Sequence, residues 1–212
     1  MQGIKTFMDV MNRTFEQLRT DVHNVHRELS EVKHQQASII GDVRQLQGEV
    51  REMRQEIIEL KQHSRRNNLE IRNVPLSADE SLPDMMQNIA TCLKMELRTE
   101  DIDVVHRVPT KNKAQQNILV RFTSIAVRDK MIKNAKKERL STSALGFQKN
   151  EPIFINEHLC QENKILLAKA RQARREKNWK YVWVSQAKIL MRKTENSRVL
   201  HIISEDDLKK VV

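Results

Sequence analysis

Residues 4–60 decide the fold of this chain, and they read IKTFMDVMNRTFEQLRTDVHNVHRELSEVKHQQASIIGDVRQLQGEVREMRQEIIEL. Apolar side chains recur there at alternating spacings of three and four residues, which is the heptad repeat of a coiled coil. The a positions are Met8, Phe15, Val22, Leu29, Gln36, Val43, Val50 and Ile57, and the d positions are Ile4, Met11, Leu18, Val25, Val32, Ile39, Leu46, Met53 and Leu60. This seam predicts a long helix that supercoils to the left around another helix, with Leu18 to Leu60 as oligomerisation residues.

The charges beside the seam indicate which helix is the partner. Acidic g residues would face basic e residues of a parallel neighbour, in the pairs Glu28 with Lys33, Glu49 with Arg54 and Glu56 with Lys61. This pattern favours identical chains that are parallel and in register, and the polar Gln36 penalises slipped registers. Valine at a and mixed residues at d leave both a trimer and a dimer open. The alternative is a long amphipathic helix that packs on its own globular domain.

Charge is distributed unevenly along the 212 residues, whose net charge is +10. Residues 1–63 hold 9 Lys and Arg against 10 Asp and Glu, a net of −1, so the remainder holds 29 against 18, a net of +11. A strongly basic globular part indicates a polyanionic partner, nucleic acid first and an anionic membrane surface second.

The sequence contains none of the common catalytic motifs, so we expect no enzyme, no cofactor and no small-molecule substrate. Asp101, Asp103 and His106 form a weak candidate for a metal or acid–base cluster, and we interpret them as strand-edge residues. His158 and Cys160 lack a partner pair for a metal site. No signal peptide and no long apolar run is present, which predicts a soluble protein of the cytoplasm, with the nucleus also open.

After a rod over residues 1–64, residues 65–157 predict a domain of order βαββαβ. Strands are predicted at 69–74, 102–109, 118–122 and 153–156, with one helix after the N-cap Ser81 and another over 125–140. The basic side of the second helix comprises Arg128, Lys130, Lys133, Lys136, Lys137 and Arg139. This order is that of the ferredoxin-like and RNA-recognition-motif folds.

Residues 158–212 predict a second, small α/β domain. A helix over 162–177 precedes three strands at 179–184, 188–193 and 199–203, and Ser204 caps a short terminal helix with Asp207 three residues on. The predicted fold class is therefore α+β with a long N-terminal coiled coil.

Basic side chains on these two domains are the candidate nucleic-acid contacts. They are Arg65, Arg66, Arg72, Arg107, Lys111, Lys113, Arg121, Lys133, Lys137, Lys164, Arg171, Arg175, Lys177, Lys188, Arg192 and Lys193. The usual aromatic platform of an RNA-recognition motif is missing, because the first strand has no aromatic residue and the third offers only Phe122. Trp179, Tyr181 and Trp183 alternate along one predicted strand, either as core or as a stacking row, and Trp183 is the stacking candidate.

Several motifs resemble those of two protein families. The runs NLEIRNVP (68–75), VHRVP (105–109), ILVRF (118–122), EKNW (176–179) and AKI (187–189) resemble the first-open-reading-frame protein of LINE-type (non-LTR) retrotransposons. The baculovirus few-polyhedra protein and its insect relatives are similar in FINEHL (154–159), VWV (182–184), RK (192–193) and DDL (206–208).

The resemblance implies a coiled-coil homotrimer whose atypical RNA-recognition motif and C-terminal domain together grip single-stranded nucleic acid. It also implies nucleic-acid chaperone activity and packaging of RNA into a ribonucleoprotein particle. By position, Arg107, Lys111, Lys113, Arg121, Lys164 and Lys188 would contact the nucleic-acid backbone. Ser185 stands where mammalian LINE proteins have a tyrosine, so Trp183 or Tyr181 would supply the stacking contact.

These observations predict a non-enzymatic protein that oligomerises with itself and binds single-stranded RNA and DNA. The alternative is a viral or host assembly scaffold of the few-polyhedra type that acts mainly through protein partners. A nuclease is a third possibility, for which the sequence offers no carboxylate cluster.

Overall fold

A computed structural model of the chain describes residues 2–77, 79–110 and 116–211. The chain divides into two compact units, Met1–Glu56 and Ile57–Val212. Helix α1, Gln2–His63, supplies the first unit and continues into the second. Its 62 residues give a helix about 93 Å long. The apolar residues of the a and d seam are 40% to 72% exposed, so this stripe is an unburied apolar face.

The first sheet of the second unit has the strand order β2-β3-β1-β4, with every neighbouring pair antiparallel. Its strands are β1 (Asn68–Arg72), β2 (Ile102–Pro109), β3 (Gln116–Phe122) and β4 (Phe154–Glu157), joined by helices α2 (Leu82–Cys92) and α3 (Ile125–Lys137). Short 3₁₀ turns lie at Thr99–Asp101 and Ser143–Leu145.

The core of this domain lies between the two helices and one face of the sheet. Leu69 and Ile71 of β1 alternate with polar neighbours and are fully buried, as are Ile118 and Val120 of β3. Met86 and Ile89 of α2 and Met131 of α3 complete this core. The predicted N-cap of α2 is confirmed, since the Ser81 hydroxyl accepts a hydrogen bond from the Asp84 backbone N–H at 3.3 Å.

Several element boundaries in this domain differ from the prediction by one to three residues. Strand β1 ends at Arg72 and not at 74, because Asn73 takes a positive φ of 67°. Strand β2 ends at Pro109 as predicted, where its backbone pairs with Gln116 of β3. Helix α3 ends at Lys137 and not at 140, because Glu138 takes an extended conformation. Leu140 turns back into the core there and is 7% exposed.

A second sheet, of order β5-β6-β7, is formed by Tyr181–Ser185, Lys188–Arg192 and Leu200–Ile202. Helix α4, Gln161–Glu176, packs on one face of this sheet through Leu166, Leu167 and Ala170. The short helix α5, Glu205–Leu208, starts with the predicted capping box of Ser204 and Asp207. The α+β class with a long N-terminal helix and antiparallel sheets is thus confirmed.

The aromatic row of the C-terminal sheet is not a single face, contrary to the prediction. Strand β5 begins at Tyr181, so Trp179 lies before the strand and packs in the core with Val182 and Val184. Tyr181 and Trp183 alternate with those valines and lie on the face opposite α4. The prediction placed all three rings on one side because it started the strand two residues early.

The carboxylate of Glu157 joins the two sheets. Its Oε2 accepts hydrogen bonds from the Arg128 guanidinium at 2.9 Å and from the Ala187 backbone N–H at 2.6 Å. Its Oε1 accepts one from the Gln186 backbone N–H at 2.9 Å. Gln186 and Ala187 form the β5–β6 turn with positive φ angles of 51° and 61°, so Glu157 stabilises a strained turn.

The end of α1 is held to the same unit by Gln62, which is 9% exposed. Its amide group donates to the His158 carbonyl and accepts from the Cys160 backbone N–H and the Asn163 side chain, each at 3.0 Å. Lys61 forms an ion pair with Glu162 beside it. Lys61 was predicted to pair with Glu56 of a neighbouring helix, and the structure instead gives it a partner in its own chain.

We expect the substitution Glu157→Ala to lower the free energy of unfolding by about 3 kcal/mol, because it leaves two turn amides without a partner and removes the buried one of the two carboxylates that pair with Arg128. The side chains of Arg128 and Glu157 are 6% and 7% exposed. Urea unfolding followed by circular dichroism measures the change. Glu138→Ala breaks the exposed pair with Lys94 and is the control, with a loss within about 1 kcal/mol. Equal losses for the two variants would contradict the role of Glu157.

Candidate nucleic-acid interface

The face of the C-terminal sheet that points away from α4 combines aromatic and basic side chains, and we call it the outer face. The pairing of β5 with β6 sets Tyr181 opposite Arg192, Trp183 opposite Leu190 and Ser185 opposite Lys188. The pairing of β6 with β7 adds His201 beside Leu190. The outer face therefore comprises Tyr181, Trp183, Ser185, Lys188, Leu190, Arg192 and His201.

Cations flank the Tyr181 ring on this face. The guanidinium of Arg192 lies 5.2 Å from the ring centroid and the Lys180 ammonium 5.4 Å from it, both within the range of cation–π attraction. Arg192 Nε is buried and has no hydrogen-bond partner among the described residues. The Tyr181 hydroxyl donates to Glu195 at 3.1 Å, which fixes the ring orientation.

Trp183 is half-buried and Lys188 is exposed. A half-buried ring is held in place by its neighbours while part of its surface stays open to a base. Aromatic rings beside lysine and arginine are the elements by which proteins bind single-stranded nucleic acid without reading its sequence, through stacking on bases and contacts with phosphates. Of the two interpretations left open for the aromatic row, the structure places Trp179 in the core and Trp183 on the outer face.

The open face of the first sheet, which lies opposite α2 and α3, has a different character. It carries Asn68, Glu70, Arg72, Asn117, Leu119 and Arg121 from β1 and β3 and therefore no aromatic side chain from these two strands. Asn68 and Glu70 are buried there, beside His158 and Lys164, so this face is open only in part. Phe122 is 1% exposed and belongs to the core. Phe154 of the edge strand β4 is the aromatic residue on this face, and it is 53% exposed.

Glu70 neutralises much of the basic charge on the open face. Its carboxylate accepts from Asn117 at 2.7 Å, Lys164 at 3.0 Å and Arg72 at 3.2 Å. Burial raises the pKa of Glu70, but the hydrogen bond from Lys164 and the charges of Arg72 and Lys164 outweigh it and lower that pKa. Arg121 likewise pairs with Asp103 of β2.

Arg107 does not lie on an open surface. Its side chain is 9% exposed and pairs with Glu80, and it also donates to the carbonyls of Val74, Pro75 and Gln116. The hydrogen bond from Arg107 lowers the pKa of Glu80. The guanidinium therefore ties the loop after β1 to the edge of the sheet. Sequence position suggested a backbone contact here, and the structure gives Arg107 a structural role.

The remaining residues predicted to contact nucleic acid differ in how exposed their side chains are. Arg65 is half-buried and donates to the Lys61 carbonyl, and Lys193 is exposed. Lys111 and Lys113 lie outside the described residues. Seven predicted cations are exposed and form no ion pair in the part of the chain that the structure describes: Arg66, Lys133, Lys137, Arg171, Arg175, Lys177 and Lys188.

Arg128 corrects the predicted basic side of α3. The sequence placed it with the exposed lysines, but it is 5% exposed and faces Glu157. Neither Glu157 nor Gln62 was among the predicted functional residues. The signal that could have found them is weak, since each partner lies 29 or more residues away along the chain.

Asp101 and Asp103, the weak metal candidates, have other partners. Asp101 accepts from the Arg98 backbone N–H at 2.9 Å, and Asp103 pairs with Arg121. Among residues 2–77, 79–110 and 116–211, no three side chains of the types that bind metals come together. None of the helices described there combines the length and the apolar composition of a membrane span.

Residues 160–212 match the family model described as Baculovirus FP protein domain 2. This FP domain 2 segment contains α4, the three-stranded sheet with its outer face, and α5. The match supports the few-polyhedra half of the resemblance and gives no support to the retrotransposon half. Comparison with curated proteins gives no match.

His158 lies where the FP domain 2 segment meets the first sheet. Its Nδ1 is 3.3 Å from the Asn68 amide nitrogen. Burial, followed by the nearby charge of Lys164, lowers the pKa of His158 to about 4 from an ordinary 6.5. The imidazole is therefore neutral in the folded protein at pH 7.

We expect the pKa of His158 to make the free energy of unfolding pH-dependent. The unfolded chain takes up a proton near pH 6.5 and the folded chain only near pH 4, so this contribution is complete above pH 6.5 and is lost as the pH falls toward 4. Urea unfolding at pH 7 and pH 5 measures the difference. His158→Gln should show a smaller difference than the wild type, and an unchanged difference would contradict the assignment.

Proposed function

We propose that this protein is a non-enzymatic, homo-oligomeric binder of single-stranded RNA and DNA. The observation that carries the proposal is the outer face of the C-terminal sheet, where Trp183 and Tyr181 lie among Lys188 and Arg192. The net charge of +11 on residues 64–212 supplies the long-range attraction for such a ligand. Stacking and phosphate contacts of this kind accept any base sequence.

The first sheet supports an RNA-recognition-motif-like domain over residues 65–157. Its strand order and its βαββαβ element order are those of the split βαβ fold. Because β1 and β3 lack aromatic residues on the open face, we assign stacking to the C-terminal sheet in this protein. Chaperone activity and packaging of RNA into a particle, as in the retrotransposon proteins, belong to the same proposal.

The exposed seam of α1 supports a parallel coiled coil, as a trimer or a dimer. Ile57 and Leu60 of the seam are 50% and 70% exposed at the point where Gln62 is buried against the globular unit. The globular unit therefore contacts α1 on a different side from the seam, and the seam remains open to its last heptad. Joining several weak binding units in one oligomer raises the affinity for a long strand through effective concentration.

The rival proposal is an assembly protein of the few-polyhedra type that acts through protein partners. The match of residues 160–212 to Baculovirus FP protein domain 2 supports the family resemblance on which this rival rests. Sedimentation equilibrium of the intact chain with a labelled single-stranded oligonucleotide, at two salt concentrations, separates the two. An oligomer that binds at low salt and releases at high salt supports our proposal. An oligomer indifferent to the oligonucleotide would favour the assembly protein.

We expect Trp183→Leu to weaken binding of a single-stranded oligonucleotide about tenfold, because it removes a ring on which a base stacks. Trp183→Phe keeps an aromatic ring and is the matched control, with affinity near the wild type. Fluorescence anisotropy measures both, and the thermal midpoint of each variant checks folding. Equal affinities for the leucine and phenylalanine variants would remove Trp183 from the interface.

We expect Val43→Asp with Val50→Asp to dissociate the oligomer, because two charges would be buried in every seam. Light scattering should then give the mass of one chain, and affinity for a long strand should fall severalfold. Gln45→Asp with Gln55→Asp adds the same charge at outer heptad positions and should keep the oligomer. An unchanged mass for the valine variant would refute the coiled coil.

A further inference from the structure

The charges on the open face of the first sheet nearly cancel. Arg72, Lys164 and Arg121 supply three cations, and the carboxylates of Glu70 and Asp103 pair with all of them. The net charge of these five groups is therefore +1, and a phosphate would have to compete with a carboxylate for each cation. The surface that an RNA-recognition motif ordinarily uses is thus a poor polyanion site here.

Helix α3 carries the opposite arrangement on its outer surface. Lys130, Lys133 and Lys137 follow one another at spacings of three and four residues and so form one stripe, with steps of about 4.5 and 6 Å along the axis. All three are exposed and none forms an ion pair with a described residue. The neighbouring acid, Asp129, pairs with Arg128. We call these three residues the α3 stripe.

The repulsion between the like charges of the α3 stripe reduces the stability of the helix, and a binding role would explain why these charges are present. Like charges at these spacings destabilise a helix by roughly 0.2–0.5 kcal/mol per pair. The opposite side of the same helix carries Arg128, which is buried on Glu157, and Met131, which is fully buried in the core. The helix is thus held to the sheet on one side and presents only positive charge along the stripe on the other.

Helix α3 is also a neighbour of the outer face. One carboxylate, that of Glu157, accepts from Arg128 of α3 and from the Ala187 backbone N–H in the β5–β6 turn. Lys188 follows directly and begins strand β6 on the outer face. The turn that starts the outer face is therefore two hydrogen bonds from the Arg128 side of α3. The α3 stripe lies on the other side of that helix, across a helix diameter of about 10 Å, so the strand has to pass around α3 to reach it.

We propose that one nucleic-acid strand contacts both surfaces: it stacks on the outer face, crosses the β5–β6 turn at Lys188 and continues along the α3 stripe. The strand leaves the open face of the first sheet uncovered. This path rests on the proposed function and adds to it a second contact surface, on a helix. The ligand it selects is a single strand long enough to span both surfaces.

The test compares the full-length variant Lys130→Gln, Lys133→Gln, Lys137→Gln with a control that loses the same charge elsewhere. The control is Lys149→Gln, Lys209→Gln, Lys210→Gln, three exposed lysines that lie outside α3. Binding is measured by fluorescence anisotropy against salt, with oligonucleotides of about four and about sixteen nucleotides, which bracket the site sizes of small single-strand-binding folds.

We expect the stripe variant to bind the longer oligonucleotide more weakly than the control does, with a salt slope smaller by about two, which corresponds to three lost phosphate contacts. The four-nucleotide ligand should bind both variants equally, since it reaches only the outer face. Equal binding of the longer ligand by both variants would refute the path and leave the proposed function standing.

Two other outcomes are also decisive. A stoichiometry of two long strands per chain would show that the stripe holds a separate strand, and would overturn the single path. Failure of the wild type to bind either oligonucleotide would refute the proposed function itself. The double variant Arg72→Gln, Arg121→Gln tests the uncovered open face, and a loss of affinity larger than that of the stripe variant would place the strand there instead.

Discussion

The buried carboxylate of Glu157 is the contact on which the arrangement of the globular unit depends. It accepts hydrogen bonds from α3 of the first domain and from two amides of a strained turn in the second. A buried ion pair contributes little net stability, but removing one partner is costly because the other charge stays buried. The pair therefore acts less as a source of stability than as a constraint on how the two sheets meet.

Gln62 applies a similar constraint at the end of the long helix. Its side-chain amide donates a hydrogen bond to the His158 carbonyl and accepts one each from the Cys160 backbone N–H and the Asn163 side chain. These residues belong to the segment that leads into α4 and to the first turn of that helix. This contact uses a side of α1 other than the heptad seam, so Ile57 and Leu60 of the seam stay exposed where Gln62 is buried.

The distribution of ion pairs separates basic residues that stabilise the fold from those that are available to a ligand. Arg107 and Arg128 carry the same formal charge as the exposed lysines. Both are buried, however, and form ion pairs with Glu80 and Glu157 respectively. The α3 stripe and Lys188 lack such partners within the described residues. The net charge of +11 on the globular part is therefore not spread evenly over its surfaces. The cations on the open face of the first sheet are paired with carboxylates, whereas, among the described residues, those of the α3 stripe and Lys188 are not.

The sequence alone determined what depends on neighbours within a few residues: the heptad seam of α1, the order of helices and strands, and the caps at Ser81 and Ser204. These follow from periodicity and from hydrogen bonds across three residues. Only the tertiary structure decided which face Trp179 and Trp183 take, because that depends on where β5 begins to pair with β6. It also decided the partners of Arg128 and Gln62, because each buried polar group is satisfied by residues far along the chain, which no local pattern encodes.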